Sequence, residues 1–575
     1  MNDSLSSSRV SSWTELVPGV LCRTDTCHVY AVVNGARAIL VNVGDGSALS
    51  DLPPTVRHVD AVLLTHGARD VAEGAARAAE LGIPVFAPEA GVRPVGDDLL
   101  DEYDPRAFLP KPTRHVETRP LRPYRSYTFG GVEAVVLPTP GAAPNALSFQ
   151  VVSNGRHVIF CGDLVAERGQ LPRLAPTQWT YTGGEGLAGS ILSLLDLADR
   201  APDVVLPAHG SPLSADDLRF TAERVWQLVK LRGHNPRLLE LRERPYEELR
   251  PWLLVNRTSC ANSTVLKAQS GRAVFIDFGY DFAFGQAIVT TRESRMPWLY
   301  TLPDLFEQHG VTAVEAVIPT HFHDDHVAGI PLLRDTFGSH LWAPENFADI
   351  LAHPERHRLP CLWFEPMAPD RVFPLGQPFR WEEFTITLHE YPGHTRFAVA
   401  ILVEAHGERL LFVGDQYGLD ARFLNYTYAN GLREHDFADS ADLIERLAPD
   451  LVFGGHHAPV KPTREWLADL KGRGERLRDL HATLQPLPSR LLLHVTPIRP
   501  RFGEAVHVKV ENATPDAFHG ALIAGDASPS PILVPPHGTF ETTFMPSAPL
   551  TKIEVRGAPG DPPLLSHVTL GVAHE

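Results

Sequence analysis

Thr320-His321-Phe322-His323-Asp324-Asp325-His326 closes a strand-like run at residues 314–318, Val-Glu-Ala-Val-Ile. Within it His321, His323, Asp325 and His326 offer metal ligands, and no single face of a helix or strand presents all four. The chain must therefore curl around something small and positive. A divalent metal ion meets that description, and mixed imidazole and carboxylate donors suit zinc, with iron or manganese as alternatives. Three further candidates each stand behind a short strand-like run: His394 in Tyr391-Pro392-Gly393-His394, Asp415 in Phe412-Val413-Gly414-Asp415, and His456 in Phe453-Gly454-Gly455-His456-His457.

In this order the residues fill every position of H-x-H-x-D-H followed by His, Asp and His, and the chain resembles the metallo-β-lactamase-fold hydrolase superfamily, in particular its glyoxalase II and lactonase branches. The resemblance implies an αββα sandwich with the ligand loops along one edge. It also implies a ligand set: His321, His323 and His394 around one ion, Asp325, His326 and His456 around a second, and Asp415 between them. Two cations so placed hold a hydroxide at neutral pH, which attacks a carbonyl or phosphoryl centre. Asp325 is expected to relay a proton. Tyr417 is expected as an oxyanion donor, as a tyrosine near this position serves in lactonases of the superfamily, and His457 as a group for proton transfer.

Working outward, the central stretch has an echo. Val59-Asp60-Ala61-Val62-Leu63-Leu64-Thr65-His66 repeats the layout of residues 314–321, again a buried strand running into Thr-His. Pro140-Gly141-Ala142 matches Pro392-Gly393-His394, and Cys161-Gly162-Asp163 matches Val413-Gly414-Asp415. Asp203-Val204-Val205-Leu206-Pro207-Ala208-His209 matches Asp450-Leu451-Val452-Phe453-Gly454-Gly455-His456, which makes His456 rather than His457 the ligand. Gln178-Trp179-Thr180-Tyr181 likewise pairs with Asn425-Tyr426-Thr427-Tyr428, which favours a packing role for these aromatics. The halves are duplicates. The first copy keeps His66, Asp70, Asp163 and His209 but has Ala68, Val71 and Ala142 at three ligand positions, and methyl or isopropyl groups cannot coordinate. It is expected to be non-catalytic and retained for its fold, the rival being a mononuclear site from Asp70, Asp163 and His209.

Three domains are expected: residues 1–240 as the degenerate copy, 241–486 as the catalytic copy, and 487–575 as a small all-β sandwich, read from short alternating runs separated by Pro, Gly, Asn and Asp. Helices opening at Ser214 and Thr463 close each copy, and residues 232–247 read as the linker. A further helix is expected to start at Val327-Ala328-Gly329-Ile330.

With 43% hydrophobic and 21% charged residues the composition is that of an ordinary globular protein. The net charge of −17 disfavours a nucleic-acid or anionic-membrane surface. The five cysteines form no C-x-x-C pair and residues 1–12 carry no apolar leader, so a cytoplasmic setting without membrane association is expected. The partner is expected to be a small-molecule substrate, with self-association open. Nuclease branches of the superfamily carry long insertions or basic exosites, whereas only 41 positions separate Asp415 from His456 here. The expectation is a two-metal hydrolase of small esters, thioesters, lactones, β-lactams or phosphoesters. The alternatives are a mononuclear iron persulfide dioxygenase and a metal-stabilised binding or scaffold protein.

Overall fold

The structure, a computed structural model, describes residues 13–88, 112–114, 116–174, 177, 186–232, 235–281, 295, 297–357, 359–423, 435–484, 491–512, 514–546, 548–557 and 564–569. The aromatic segments 178–181 and 425–428 lie outside these residues. Among the described residues each copy contains a seven-stranded and a five-stranded sheet. In the first copy the larger sheet runs in sequence order from Thr14–Val17 to Arg119–Pro120, and in the second from Tyr246–Arg250 to Arg371–Phe373.

The duplication extends to irregularities. Strand Arg37–Val41 pairs in parallel with His58–Leu63 and slips register between Ala38 and Ile39; Arg272–Ile276 pairs with Ala313–Ile318 and slips between Ala273 and Val274. The two central strands, His58–Leu63 and Ala313–Ile318, also share one order of exposed and buried positions.

Alternation along the strands builds the layers. In His28–Asn34, Val29 and Ala31 join the cluster that contains Ala75, Ala76 and Ala78 of the short helix Ala75–Glu80, while Tyr30 and Val32 join Phe149, Val151, Phe160 and Leu206 of the smaller sheet. The outer face of the smaller sheet lies under helices Gly186–Asp199 and Ala215–Arg232. Strands buried on both faces carry near-continuous apolar runs, and each fully buried Phe or Ile contributes roughly 1.5–3 kcal/mol.

The two closing helices begin where their capping residues predict. Ser214 Oγ accepts from the Asp217 N–H at 3.3 Å while Asp217 returns the bond to the Ser214 N–H at 2.9 Å, and Thr463 Oγ1 accepts from the Trp466 N–H at 3.2 Å. Residues 232–247 differ from the expected linker: helix Leu238–Glu243 places Leu238 in the core of the first copy, and strand Tyr246–Arg250 opens the next sheet. The chain divides into one compact unit of Met1–Pro245 with Tyr280–Asp304 and another of Tyr246–Gly279 with Leu305–Glu575. A stretch of the second copy thus belongs to the first unit, where Trp298 is part of the core.

Among the described residues the C-terminal segment has a three-stranded and a four-stranded antiparallel sheet whose inward side chains, among them Val508, Val510, Ile532, Val534, Ile553 and Val555, form one cluster. Strand Phe518–Ala524 carries no sequence signal because Gly520 interrupts it. A Cβ there would stand 2.3 Å from the Arg556 carbonyl oxygen, so the glycine is needed for pairing. Among the described residues no helix is long and apolar enough to cross a membrane.

Candidate metal centre

Each candidate ligand of the second copy stands just beyond the C-terminal end of a strand. Ala313–Ile318 leads to His321, Phe384–Glu390 to His394, Glu408–Phe412 to Asp415, and Leu451–Phe453 to His456. The sheets meet there, because the Val399 N–H donates to the Thr320 carbonyl at 2.9 Å. Pairing also continues past the strands, with the Gly455 N–H donating to the Gly414 carbonyl at 2.7 Å. Gly455 must be glycine, since a Cβ would lie 1.9 Å from Asp415 Oδ1.

The ligand loop curls by a short helical turn, Asp324–Val327, so Asp325 and His326 sit inside the helix. The helix expected from residues 327–330 comes after this additional turn. The next helix, Ile330–Phe337, follows Gly329, whose missing Cβ leaves room for the Phe278 ring.

The ligand atoms of His321, His323 and His394 lie within 4.8 Å of one another, as do those of Asp325, His326, Asp415 and His456. Asp415 touches both groups: Oδ2 is 3.7 Å from His394 Nε2 and 3.0 Å from His456 Nε2, and Oδ1 is 3.2 Å from His326 Nε2. Asp325 Oδ2 stands 3.2 Å from His456 Nε2.

These donors fit divalent cations. His321 Nε2, His326 Nε2 and Asp415 Oδ1 are buried without a hydrogen-bond partner, an arrangement that costs free energy unless a cation accepts their lone pairs. The far sides of the rings are held. His321 Nδ1 lies 3.1 Å from Thr320 Oγ1, His326 Nδ1 lies 2.8 Å from Asp277 Oδ2, and His456 Nδ1 lies 3.0 Å from the Cys260 carbonyl. Such contacts set the tautomer and aim Nε2 inward.

Electrostatics divides the cluster. Burial, reinforced by neighbouring histidines, pushes His321 well below the usual imidazole range and His323 down to about 3, which leaves both neutral. At the other end burial opposes charge but loses to the carboxylates: Asp415, Asp277 and Asp325 push His326 up, and Asp415 with Asp325 pushes His456 to about 11. Asp415 is held well below the carboxylate range because His326 and His456 outweigh its burial. Buried carboxylates at this end require positive charge, from protons or from metal.

Asp277 is absent from the sequence reading. It accepts from the Thr320 N–H at 2.6 Å and the Thr320 hydroxyl at 2.8 Å besides holding His326. Its counterpart is Asn42, which accepts from the same two groups of Thr65 and shares its left-handed backbone, φ 61° against 59°. The copy with Val71 in place of His326 has no ring to orient. The available signal was this pairing, Ile276-Asp277-Phe278-Gly279 against Val41-Asn42-Val43-Gly44. Gln416 is a second such residue. Its Oε1 accepts from the His394 N–H at 3.2 Å, and its Nε2 donates to the Pro392 carbonyl and to Ser440 Oγ. Leu164 takes its place in the first copy, where Ala142 stands in the position of His394.

Tyr417 is not brought to the cluster, which corrects its expected role. It is 1% exposed in the core between sheet and helices, and its hydroxyl donates to the Phe437 carbonyl at 3.0 Å. His457 also turns away: its ring nitrogens stand 2.8 Å from the carbonyls of Ala458 and Tyr417. Neither side chain joins the ligand cluster.

In the first copy Asp70, Asp163 and His209 still gather within 4.8 Å. They are held internally only in part, since Asp70 Oδ1 and Asp163 Oδ2 are buried without a hydrogen-bond partner. His209 Nδ1 is 2.7 Å from Asp163 Oδ1, His209 Nε2 is 3.1 Å from the Thr26 carbonyl, and Asp70 carries an ion pair from Arg173. Ala68 and Ala143 form a small apolar cluster beside them.

A family model described as the metallo-beta-lactamase superfamily matches residues 261–456, and one described as a beta-lactamase superfamily domain matches residues 37–181. No curated protein matches the chain. Similar solved structures include a metallo-β-lactamase from Cronobacter sakazakii (17% identity, 42% of this chain and 95% of that one, TM-score 0.32). Others are a class B3 di-zinc metallo-β-lactamase from an Alaskan soil metagenome (13%, 42% and 96%, 0.31) and a subclass B3 enzyme of Bradyrhizobium japonicum (18%, 42% and 97%, 0.32). The domain assignment rests on the family models and on the strand order shared by the two copies.

Proposed function

Because the chain carries two metallo-β-lactamase superfamily domains in tandem, we propose that the second is a two-metal hydrolase of a small ester, thioester, lactone or related bond, and that the first is non-catalytic. The gathering of seven ligand side chains in two groups, with Asp415 in contact with histidines of both, carries this reading. Two bound divalent ions, zinc by donor type, supply Lewis acidity for the scissile carbonyl or phosphoryl oxygen and an acidified water.

The chain's own groups have separate tasks. His321, His323 and His394 present nitrogen donors at one end. Asp325, His326 and His456 hold the other, and Asp415 spans both. Asp277 keeps the His326 Nε2 lone pair directed inward, and Gln416 fixes the backbone that bears His394. Asp325, with its side chain 16% exposed against 8% for Asp415, is the carboxylate ligand with more access to solvent and the one suited to take a proton from water.

The test is metal analysis of the full-length protein, with turnover measured on a panel of esters, thioesters, lactones, β-lactams and phosphoesters. Two ions per chain and chelator-sensitive hydrolysis of at least one class are expected. One iron per chain with oxygen uptake on glutathione persulfide would replace this reading by dioxygenase chemistry. Two ions without turnover on any class would favour a metal-stabilised binding protein.

A further inference from the structure

Two residues beyond His394 stands Arg396, and its guanidinium reaches out of the metal-binding domain. Nη2 donates to both carboxylate oxygens of Glu511, at 2.9 and 3.1 Å. Glu511 lies on strand Val506–Asn512 of the C-terminal sheets. Both side chains are nearly buried, at 11% and 8% exposure. Beside them the Phe397 ring lies 6.2 Å from the ring of His494 on the neighbouring strand.

Burying two charges costs hydration that their attraction does not always return, so a buried pair is better at fixing geometry than at adding stability. The first copy serves as an internal comparison. Its Leu147 N–H donates to the Thr65 carbonyl as Val399 does to Thr320, which aligns Ala142 with His394 and Pro144 with Arg396. The copy without the histidine has no arginine here, and it leads into another domain of its own kind rather than into the C-terminal sheets.

We propose that the Arg396–Glu511 pair makes the C-terminal β domain a clamp on the His394 loop, so that this domain is part of the support of the metal centre. The proposal rests on the two-metal reading. Arg396 and Glu511 act as positioning residues. Gln416 holds the His394 backbone from within the metal-binding domain, and Glu511 holds the same loop from outside it. Loss of the outer hold lets the His394 imidazole drift from its bonding position, weakening the site of His321, His323 and His394 and sparing that of Asp325, His326 and His456.

The test uses the full-length protein loaded with cobalt(II) and titrated with a competing chelator, the thermal midpoint being recorded alongside. The variants are Glu511→Gln, Glu511→Asp, and the double change Arg396→Met with Glu511→Gln, which removes both charges and avoids a lone buried one. In Glu511→Gln and in the double variant, one of the two ions should leave at about tenfold lower chelator than in the wild type while the other leaves unchanged. Glu511→Asp should recover most of the difference. If the double variant releases both ions as the wild type does, the pair only holds two domains together and the clamp is refuted. Equal weakening of both ions refutes it too. A wild type that binds no ion overturns the two-metal reading itself, whereas two ions unmoved by every variant overturn only the clamp.

Discussion

Asp277→Asn installs in the second copy the residue that the first copy already uses. Asn42 accepts from the Thr65 N–H at 3.1 Å and the Thr65 hydroxyl at 3.0 Å through one oxygen, at nearly the backbone φ of Asp277, so the variant should fold. With that oxygen engaged by Thr320, the new amide nitrogen faces His326 Nδ1, where a carboxylate oxygen stood at 2.8 Å. An amide N–H donates, so it favours the tautomer with the proton on Nε2, where the lone pair for the ion should be. Replacing a charge-assisted contact by a neutral one removes about 1–1.5 kcal/mol, and the tautomer adds to this. Loss of orienting partners of this kind typically weakens a metal site by about 10–100-fold. Chelator titration of the full-length variant should show that loss for one ion, the one bound through His326, with the other unchanged. Release of both ions at wild-type chelator concentrations would falsify the orienting role of Asp277.

Three more outcomes follow from the geometry. Asp415→Ala should abolish two-ion binding and hydrolysis, while Tyr417→Phe should keep activity within a few-fold and lose about 0.5–1.5 kcal/mol of stability with its bond to Phe437; denaturant midpoints and initial rates measure both. His209→Ala should leave the metal content of the full chain unchanged, because Arg173 already supplies the positive charge beside Asp70, and loss of one ion in that variant would establish a site in the first copy. In the ion-free chain His456 holds a proton up to a pH of about 11, and Nε2 must lose it to bind an ion. Ion uptake at pH 8 should therefore release protons, with affinity rising by about tenfold per proton per pH unit, as potentiometric titration will show.

The sequence by itself singled out the side chains that gather, because coordination chemistry restricts donors to a few residue types and strand ends bring them in a fixed order: His321, His323, Asp325 and His326 within one loop, then His394, Asp415 and His456. It also determined the duplication, since Thr65-His66 and Thr320-His321 each close a strand and both Ala142 to Asp163 and His394 to Asp415 span 21 positions. Closing helices were legible in Ser214 and Thr463 because capping is local. Tertiary structure alone decided what depends on direction. Asp277 lies 49 positions before His326, and only pairing of Arg272–Ile276 with Ala313–Ile318 sets them side by side. Tyr417 follows Asp415 by two residues, yet its ring lies between sheet and helices, because an amphipathic side chain takes whichever layer also offers its hydroxyl a partner. The Arg396–Glu511 pair joins domains that local pattern can only separate, since sequence periodicity records which face of an element is buried and not what buries it.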